Sequence, residues 1–131
     1  MKRGAILNPQ LSHLIAGLGH TDWTVVADAG LPIPKGPERV DLSVTVGIPA
    51  FLDVLQAVLS EVHVQRAVMA EEIRTKSPEL HERVLELLGG LPVQYVPHDE
   101  FKRLTTDARG VVRTGEFTPF ANIILESGVA F

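Results

Sequence analysis

The sequence predicts an α/β fold built on a sheet that is at least partly parallel. Short runs of β-branched and other apolar residues alternate along the chain with segments of helical periodicity, which is typical of parallel strands joined by helices. A length of 131 residues suits one domain with one core, so we expect residues 1–131 to form a single domain. With 45% hydrophobic and 21% charged residues, the composition is that of an ordered globular chain.

The chain begins with a predicted helix and a predicted buried strand. Asn8 and Pro9 suit the N-cap and the first position of a helix, and the apolar residues that follow recur at helical spacing: Leu11, Leu14, Ile15 and Leu18. Two glycines, at positions 17 and 19, mark the end of this helix. The apolar run from Thr24 to Ala27 predicts a buried strand, and the Pro- and Gly-rich stretch 30–37 predicts an irregular loop.

The middle of the chain predicts strand, helix and strand. Apolar and polar residues alternate from Arg39 to Val46, which predicts a half-exposed strand. Gly47-Ile48-Pro49 opens a second predicted helix, whose apolar residues share one broad face: Phe51, Leu52, Leu55, Val58, Leu59 and Val62. A third strand is predicted from Arg66 to Ala70.

The last third of the chain continues the alternation. Ser77-Pro78 starts a third predicted helix, and Gly89-Gly90 ends it. The remaining predicted elements are a strand over Val93–Val96, a short helix over His98–Leu104, and strands near Val111–Thr114 and Ile123–Glu126.

Charge, cysteine content and hydropathy exclude several classes of protein. The net charge is −4, from 12 Lys and Arg against 16 Asp and Glu, whereas binding to nucleic acid phosphates needs clustered cations. The absence of Cys excludes disulfides, zinc ribbons and thiol catalysis. The apolar run after Lys2-Arg3 stops at Asn8-Pro9, too early for a signal peptide, and no run approaches the ~18–20 residues of a membrane span. We therefore expect a soluble, cytoplasmic protein.

Candidate functional residues flank the first strand. His20 precedes the strand and Asp28 follows it. Ligands of α/β sheets bind at the carboxyl ends of strands, so Asp28 is placed to bind one. A carboxylate in that position can equally cap its own loop. His20 follows a glycine that ends a helix, and position alone favours a solvated histidine there.

Two later segments bring further polar groups. In a helix that starts at His98, this residue and Lys102 share one face, four residues apart, as ordinary surface charges also do. The stretch from Arg113 to Asn122 packs polar side chains around two aromatic residues just before the last strand. Aromatic faces beside amides suit a sugar, whose C–H face stacks while its hydroxyls need polar partners. The alternative is a hairpin whose aromatic residues belong to the core.

Four strings of residues, taken together, resemble a known family. They are GHTDWTVVADAGLP, VGIPAF, PHDEFK and RTGEFTPFANIIL. In this order and spacing they closely resemble the ribose pyranase and fucose mutarotase family, and the likeness extends over nearly the whole chain, from Lys2 to Phe131. The first and last strings are specific to the family, whereas the helices between them are generic.

The resemblance implies an isomerase that interconverts the pyranose and furanose forms of a free sugar, ahead of sugar phosphorylation and without a cofactor or metal. It places the family's proton donor on His20. It places sugar-binding positions on Asp28, His98, Lys102 and the stretch Phe120, Ala121 and Asn122. It also implies a Rossmann-like, three-layer subunit and a ring-forming homo-oligomer, a decamer of two five-membered rings.

One position departs from the family pattern. Residue 120 is commonly Tyr in the family and is Phe in this chain, which keeps a stacking face but removes a phenolic hydrogen bond to the sugar. The substrate, ribose or fucose, stays open, and so does the base, Asp28 or His98. A non-enzymatic monosaccharide-binding protein would use the same residues. A metal-dependent lyase or hydrolase would use His20, Asp28 and His98 as ligands, although no close ligand spacing such as HxH is present.

The spacing of His20 and Asp28 predicts a pocket shared between subunits. The strand that separates them, Trp23–Ala27, has five residues and spans ~17 Å at about 3.3 Å per residue. A single pentose is too small to bridge that distance. Unless Thr21-Asp22 folds back along the sheet, the simpler geometry is a shared pocket, in which His20 of one subunit faces Asp28 or His98 of its neighbour.

Overall fold

The computed structural model describes residues 1–131 and contains six strands and five α-helices. The strands are β1 (Trp23–Ala27), β2 (Glu38–Asp41), β3 (Val64–Ala70), β4 (Val93–Val96), β5 (Gly110–Arg113) and β6 (Ile123–Ser127). The helices are α1 (Pro9–Ala16), α2 (Phe51–Leu59), α3 (Ile73–Lys76), α4 (Pro78–Leu88) and α5 (His98–Leu104), and a single 3₁₀ turn covers Thr105–Asp107. No helix is both long enough and apolar enough to cross a membrane.

All six strands belong to one sheet, in the order β2-β5-β1-β6-β3-β4. The pairs β2/β5, β5/β1 and β3/β4 are parallel, whereas β6 runs antiparallel to both β1 and β3. The prediction of an α/β fold with a partly parallel sheet is therefore confirmed. Because β6 alone is reversed, its amino end lies at the same edge of the sheet as the carboxyl ends of the other five strands.

Two apolar cores lie on opposite faces of this sheet. On one face α1, α2 and α4 cover the strands with buried side chains that include Leu14, Leu55 and Val84. On the other face the fully buried ring of Phe101 from α5 packs in a smaller cluster with Val25 of β1. Burial of a large apolar side chain stabilises the fold by about 1.5–3 kcal/mol, so the buried side chains on each face stabilise the packing of the helices against the sheet. These three layers confirm the predicted architecture.

Local signals in the sequence explain several helix ends. The side chain of Asn8 accepts a hydrogen bond from the N–H of Leu11 at 2.8 Å, and Pro9 occupies the first turn of α1. Pro78 opens α4, and Gly89 ends it in the left-handed region at φ +61°. Each of these positions was predicted from the same residues.

The prediction of a strand over Arg39–Val46 is wrong for the second half of that range. It ends at Asp41, because the carboxylate of Asp41 accepts hydrogen bonds from the N–H of Ser43 at 3.0 Å and from its hydroxyl at 2.5 Å. Such a local side-chain bond turns the chain away from the sheet. Val44 and Val46, predicted to lie in a half-exposed strand, are 78% and 63% exposed in the loop that follows.

The start of the second helix also differs from the prediction. Helix α2 begins at Phe51 rather than at Gly47, because residues 45–49 form a turn held by two backbone bonds to Gly115. The helix ends at Leu59, so Val62 lies beyond it. The short helix α3 was not predicted, since four residues carry no helical period.

Candidate active site

Three of the predicted site segments meet at the carboxyl edge of the sheet. Asp28 follows β1, His98 follows β4, and Phe120 lies just before β6, whose amino end is at this same edge. They line a cleft of about 250 Å³ together with Gly30, Leu31, Pro32 and Pro119. The order of the strands therefore brings together residues that lie up to 92 positions apart between Asp28 and Phe120.

Asn122 fixes the position of Asp28 in this cleft. The N–H of Asp28 donates to Oδ1 of Asn122 at 2.8 Å, and Nδ2 of Asn122 donates to Oδ2 of Asp28 at 3.0 Å. The other carboxylate oxygen, Oδ1, accepts from the N–H groups of Gly30 at 3.0 Å and Leu31 at 2.8 Å. Asp28 thus caps its own loop and also lines the cleft, so the two alternatives from the sequence are compatible.

His98 is held from the backbone and from both sides of its ring. Its N–H donates to the carboxylate of Glu72, at 3.0 and 3.1 Å from the two oxygens. The imidazole stacks on Phe101 at a centroid distance of 6.3 Å and meets the ring of Phe120 edge-on at 5.1 Å. Its Nδ1 atom is buried without a hydrogen-bond partner in the chain. Buried polar atoms are usually paired, so an unpaired Nδ1 is an unusual feature of a residue that lines the cleft.

The loop before β6 has an unusual backbone at Phe120. This residue has φ +63°, a left-handed conformation that costs a non-glycine residue about 1–3 kcal/mol, and strained residues of this kind cluster at functional sites. The hydroxyl of Ser77 holds the preceding residue, Pro119, by donating to its carbonyl at 2.7 Å. Ala121 and Asn122 are fully buried behind the ring, which leaves the half-buried Phe120 to face the cleft.

Glu116 connects this loop to α2. Its carboxylate accepts from the N–H of Phe51 at 3.0 Å and from the hydroxyl of Thr118 at 2.8 Å. Burial raises the pKa of Glu116, but these hydrogen bonds outweigh burial and hold the pKa below its usual value. The charged form of Glu116 therefore anchors the loop that carries Phe120.

His20 lies at the opposite edge of the sheet. It is exposed, and its Nε2 atom is 3.1 Å from Oε1 of Gln65 at the start of β3. The next residue, Thr21, has φ +70°, and the carboxylate of Asp22 closes the turn by accepting from the N–H of Gly19 at 2.8 Å. Since β1 separates His20 from Asp28, the two residues do not share a cleft within one chain.

Comparison with known proteins gives a match over almost the whole chain. The sequence model described as the RbsD / FucU transport protein family matches residues 1–130. The chain belongs to this family. The resemblance drawn from the four sequence strings is therefore confirmed.

Individual members of the RbsD / FucU family cover the chain from end to end. It is 53% identical over 131 residues to the D-ribose pyranase of Geobacillus kaustophilus, covering all of this chain and 96% of that protein. It is also 53% identical to the D-ribose pyranase of Laribacter hongkongensis, with full coverage of both. The structure of Bacillus subtilis RbsD complexed with D-ribose superposes with a TM-score of 0.97 at 46% identity, again over the whole of both chains.

A more distant family structure shares the fold. The fucose mutarotase of Streptococcus pneumoniae, solved with L-fucose, superposes with a TM-score of 0.79 over the whole of both chains, at 23% identity. At this identity the likeness concerns the fold alone. The two chains thus share a fold although most of their residues differ.

Three predicted binding residues do not line the cleft: Ala121 and Asn122 are buried behind it, and Lys102 lies on the surface of α5. Its Nζ atom pairs with Oδ1 of Asp99 at 3.0 Å on α5, and both side chains are solvent-accessible. This position, taken from the RbsD / FucU resemblance, stays a prediction. No group of three or more His, Cys, Asp or Glu side chains is placed to hold a metal ion.

Two groups of functional candidates were missed from the sequence. Glu72 is the second residue after β3, at the carboxyl edge, so its position after a strand was a usable signal. Gln65 and Glu126, by contrast, carried no signal, because their proximity to His20 depends on the pairing of β3 with β6.

Proposed function

We propose that this protein is a D-ribose pyranase, an isomerase that interconverts the pyranose and furanose forms of free D-ribose. The observation that carries the proposal is the likeness to D-ribose pyranases, at 53% identity from end to end, and to a family structure complexed with D-ribose. The cleft beside Asp28 and His98 supports it, because a carboxylate, an imidazole and an aromatic ring line the same space.

The reaction is a proton transfer in two directions. A cyclic sugar is a hemiacetal, so ring opening removes the proton of the anomeric hydroxyl and adds a proton to the ring oxygen. Closure through a different hydroxyl of the open chain then gives the other ring size. A histidine with an ordinary pKa can donate and accept protons near neutral pH, and a positioned acid or base contributes ~10²–10⁴-fold in rate.

His20 is the proposed proton donor to the ring oxygen. It is exposed, it makes one side-chain hydrogen bond, and it lies on a turn of strained backbone, as functional groups often do. Asp28 or His98 is the proposed acceptor of the anomeric proton. Asp28 has a fixed carboxylate, and His98 lines the same cleft and has a buried ring nitrogen, Nδ1, without a hydrogen-bond partner.

Five positions are proposed to bind the sugar along with His98. Asp28 and Asn122 present paired polar groups, and Phe120 offers a ring face to the C–H side of the sugar. Ala121 packs behind the loop, and Lys102 reaches a hydroxyl once it leaves Asp99, whose partnership is an exposed ion pair.

The proposed pocket is shared between two subunits of a ring. His20 and Asp28 lie at opposite edges of the sheet, separated by the ~17 Å of β1. A heterologous, head-to-tail contact brings the His20 edge of one chain to the Asp28 edge of the next, and such contacts form a ring when the rotation between neighbours closes. We propose that the assembly is a homodecamer of two five-membered rings and that residues 1–131 act as one domain. Its proposed place is the cytoplasm, where ribose catabolism continues with sugar phosphorylation.

Saturation-transfer NMR on ribose and on fucose, with and without the protein, tests this function. A D-ribose pyranase accelerates exchange between the pyranose and furanose signals of ribose. Acceleration of fucose anomer exchange alone would indicate a fucose mutarotase instead. Binding of ribose without any acceleration of exchange would indicate a sugar-binding protein and would overturn the proposal.

A further inference from the structure

We propose that Gln65 is a positioning residue for His20 and holds its imidazole as the tautomer that carries hydrogen on Nε2. The inference rests on the proposed function, in which His20 donates a proton to the sugar. It starts from the contact between Nε2 of His20 and Oε1 of Gln65 at 3.1 Å. The contact alone leaves the direction of the hydrogen bond open, since either imidazole nitrogen can carry the hydrogen.

A β-bulge directs the side chain of Gln65. Val64 pairs with Ser127 and Arg66 pairs with Glu126, so Gln65 is an extra residue with no partner on β6. In a regular strand, neighbouring side chains point to opposite faces. At this bulge, however, Gln65 and Arg66 both donate to the same oxygen, Oε2 of Glu126, at 2.6 and 3.0 Å. Bulges re-aim side chains in this way beside functional sites.

Glu126 determines which end of the Gln65 amide faces His20. Its other oxygen accepts from Nε1 of Trp23 at 3.0 Å and from Arg66 at 2.9 Å. The hydrogen bonds from Arg66, followed by those from Trp23 and Gln65, lower the pKa of Glu126 to about 2. At neutral pH the carboxylate is therefore a pure acceptor, and Gln65 must present its NH₂ group to it. The amide oxygen of Gln65 then points to His20.

The tautomer of His20 follows from this orientation of the Gln65 amide. An acceptor at Oε1 requires a donor at Nε2, so the hydrogen is on Nε2 and Nδ1 has the free lone pair. Nδ1 is consequently the atom that takes up and gives back the proton in the reaction. Because Nε2 carries hydrogen in both the neutral and the charged ring, the bond to Gln65 persists through the cycle. The ring does not turn when the proton moves, which is the purpose of an orienting partner.

Gly128 leaves the space that Gln65 occupies. A Cβ atom at position 128 would lie 3.3 Å from Cβ of Gln65, closer than most such contacts. The backbone of Gly128 is held in place, since its N–H donates to the carbonyl of His63 at 2.7 Å. The chain just after β6 thus packs closely against the Cβ atom of Gln65.

Gln65→Leu tests the role, because leucine keeps a similar bulk and removes the amide. Gln94→Leu is the matched control. Gln94 accepts from the other side of Arg66 at 3.0 Å, is exposed on β4 and does not contact His20. We expect Gln65→Leu to lower kcat for ribose exchange about tenfold with KM unchanged, as expected for loss of one orienting hydrogen bond. Gln94→Leu should leave both constants unchanged.

Nitrogen NMR of labelled histidines in the sugar-free protein gives a second readout, which a merely structural role would not change. We expect hydrogen on Nε2 of neutral His20 in the unaltered protein. Hydrogen on Nδ1, or an unchanged kcat in Gln65→Leu, would overturn the inference. If Gln65→Leu does not fold, Gln65→Asn replaces it and is judged by the same criteria. The asparagine side chain is too short for its amide to contact both His20 and Glu126. If the unaltered protein accelerates no ribose exchange, the proposed function fails, while the tautomer of His20 still decides whether Gln65 positions the ring.

Discussion

Asn122 and Asp28 are joined by two hydrogen bonds, one to the backbone N–H of Asp28 and one to its carboxylate, at 2.8 and 3.0 Å. The first bond fixes the orientation of the Asn122 amide, because its oxygen must face the N–H. The second bond then fixes one oxygen of Asp28. A fully buried side chain on one strand end therefore sets the position of a carboxylate that follows another strand.

Asp28→Asn should weaken ribose binding or slow catalysed exchange. The Asp28 carboxylate accepts from three donors, the N–H groups of Gly30 and Leu31 and the Nδ2 atom of Asn122. In either orientation, the NH₂ group of an asparagine at this position would face a donor instead of an acceptor. An unsatisfied polar contact of this kind costs about 1–3 kcal/mol. Titration calorimetry and NMR exchange measure the two effects. The control is Asp53→Asn, at an exposed carboxylate on α2. If affinity and rate both stayed at their original values, Asp28 would be a loop cap only.

His20→Ala should abolish catalysed ribose exchange, a loss of ~10²–10⁴-fold, while fold and assembly persist. His20 is exposed and makes one side-chain hydrogen bond, so its removal leaves no cavity in the core. His13→Ala, at an exposed histidine of α1, is the control and should retain full activity. Circular dichroism and native mass spectrometry check the fold and the assembly. Full activity in His20→Ala would rule out its role as proton donor.

Phe120→Tyr should tighten ribose binding by roughly 0.5–1.5 kcal/mol, the net value of one hydrogen bond to a neutral hydroxyl. The ring of Phe120 lines the cleft, so a tyrosine at this position would add a phenolic hydroxyl there. Titration calorimetry with ribose measures the change. The unaltered protein is the reference, and an equal or lower affinity would mean that the cleft of this chain is packed around the phenyl ring.

Stability should fall in acid because of Glu126. Its pKa is about 2 in the folded protein, below the ordinary value of 4.5, so the folded state binds this proton less readily than the unfolded state does. The resulting stabilisation is complete above about pH 4.5 and is lost as the pH falls towards 2. Urea unfolding over this range should show that Glu126→Gln is less stable near neutral pH and that the difference shrinks in acid. Glu86→Gln, at an exposed carboxylate on α4, controls for the loss of charge. A difference independent of pH would contradict the account.

The sequence predicts those parts of the fold that depend on local patterns. Apolar runs located the strands to within one or two residues at most ends, and the position after a strand identified Asp28 and His98 as candidates. The end of β2 was missed because a hydrogen bond from the hydroxyl of Ser43 to the carboxylate of Asp41 competes with the pairing of the sheet. The place of β6 between β1 and β3 was not predictable, since strand order is a long-range property.

The same limit applies to the candidate site. Predicting the cleft would have required knowing that β6 is reversed, which brings Phe120 to the edge where Asp28 lies. The bulge at Gln65 depends on a one-residue mismatch between β3 and β6, and no local pattern records it. The separation of His20 from Asp28, by contrast, followed from the length of β1 alone.

The shared pocket is tested most directly by mixing two inactive variants, His20→Ala and Asp28→Ala, under conditions that let subunits exchange. In a ring with head-to-tail contacts, an equal mixture restores about a quarter of the pockets, each with Asp28 from one variant and His20 from the other. We therefore expect ribose exchange to recover to about a quarter of the original rate, while each variant alone stays inactive. If native mass spectrometry shows mixed oligomers and the mixture still catalyses no exchange, His20 and Asp28 do not act across a subunit boundary.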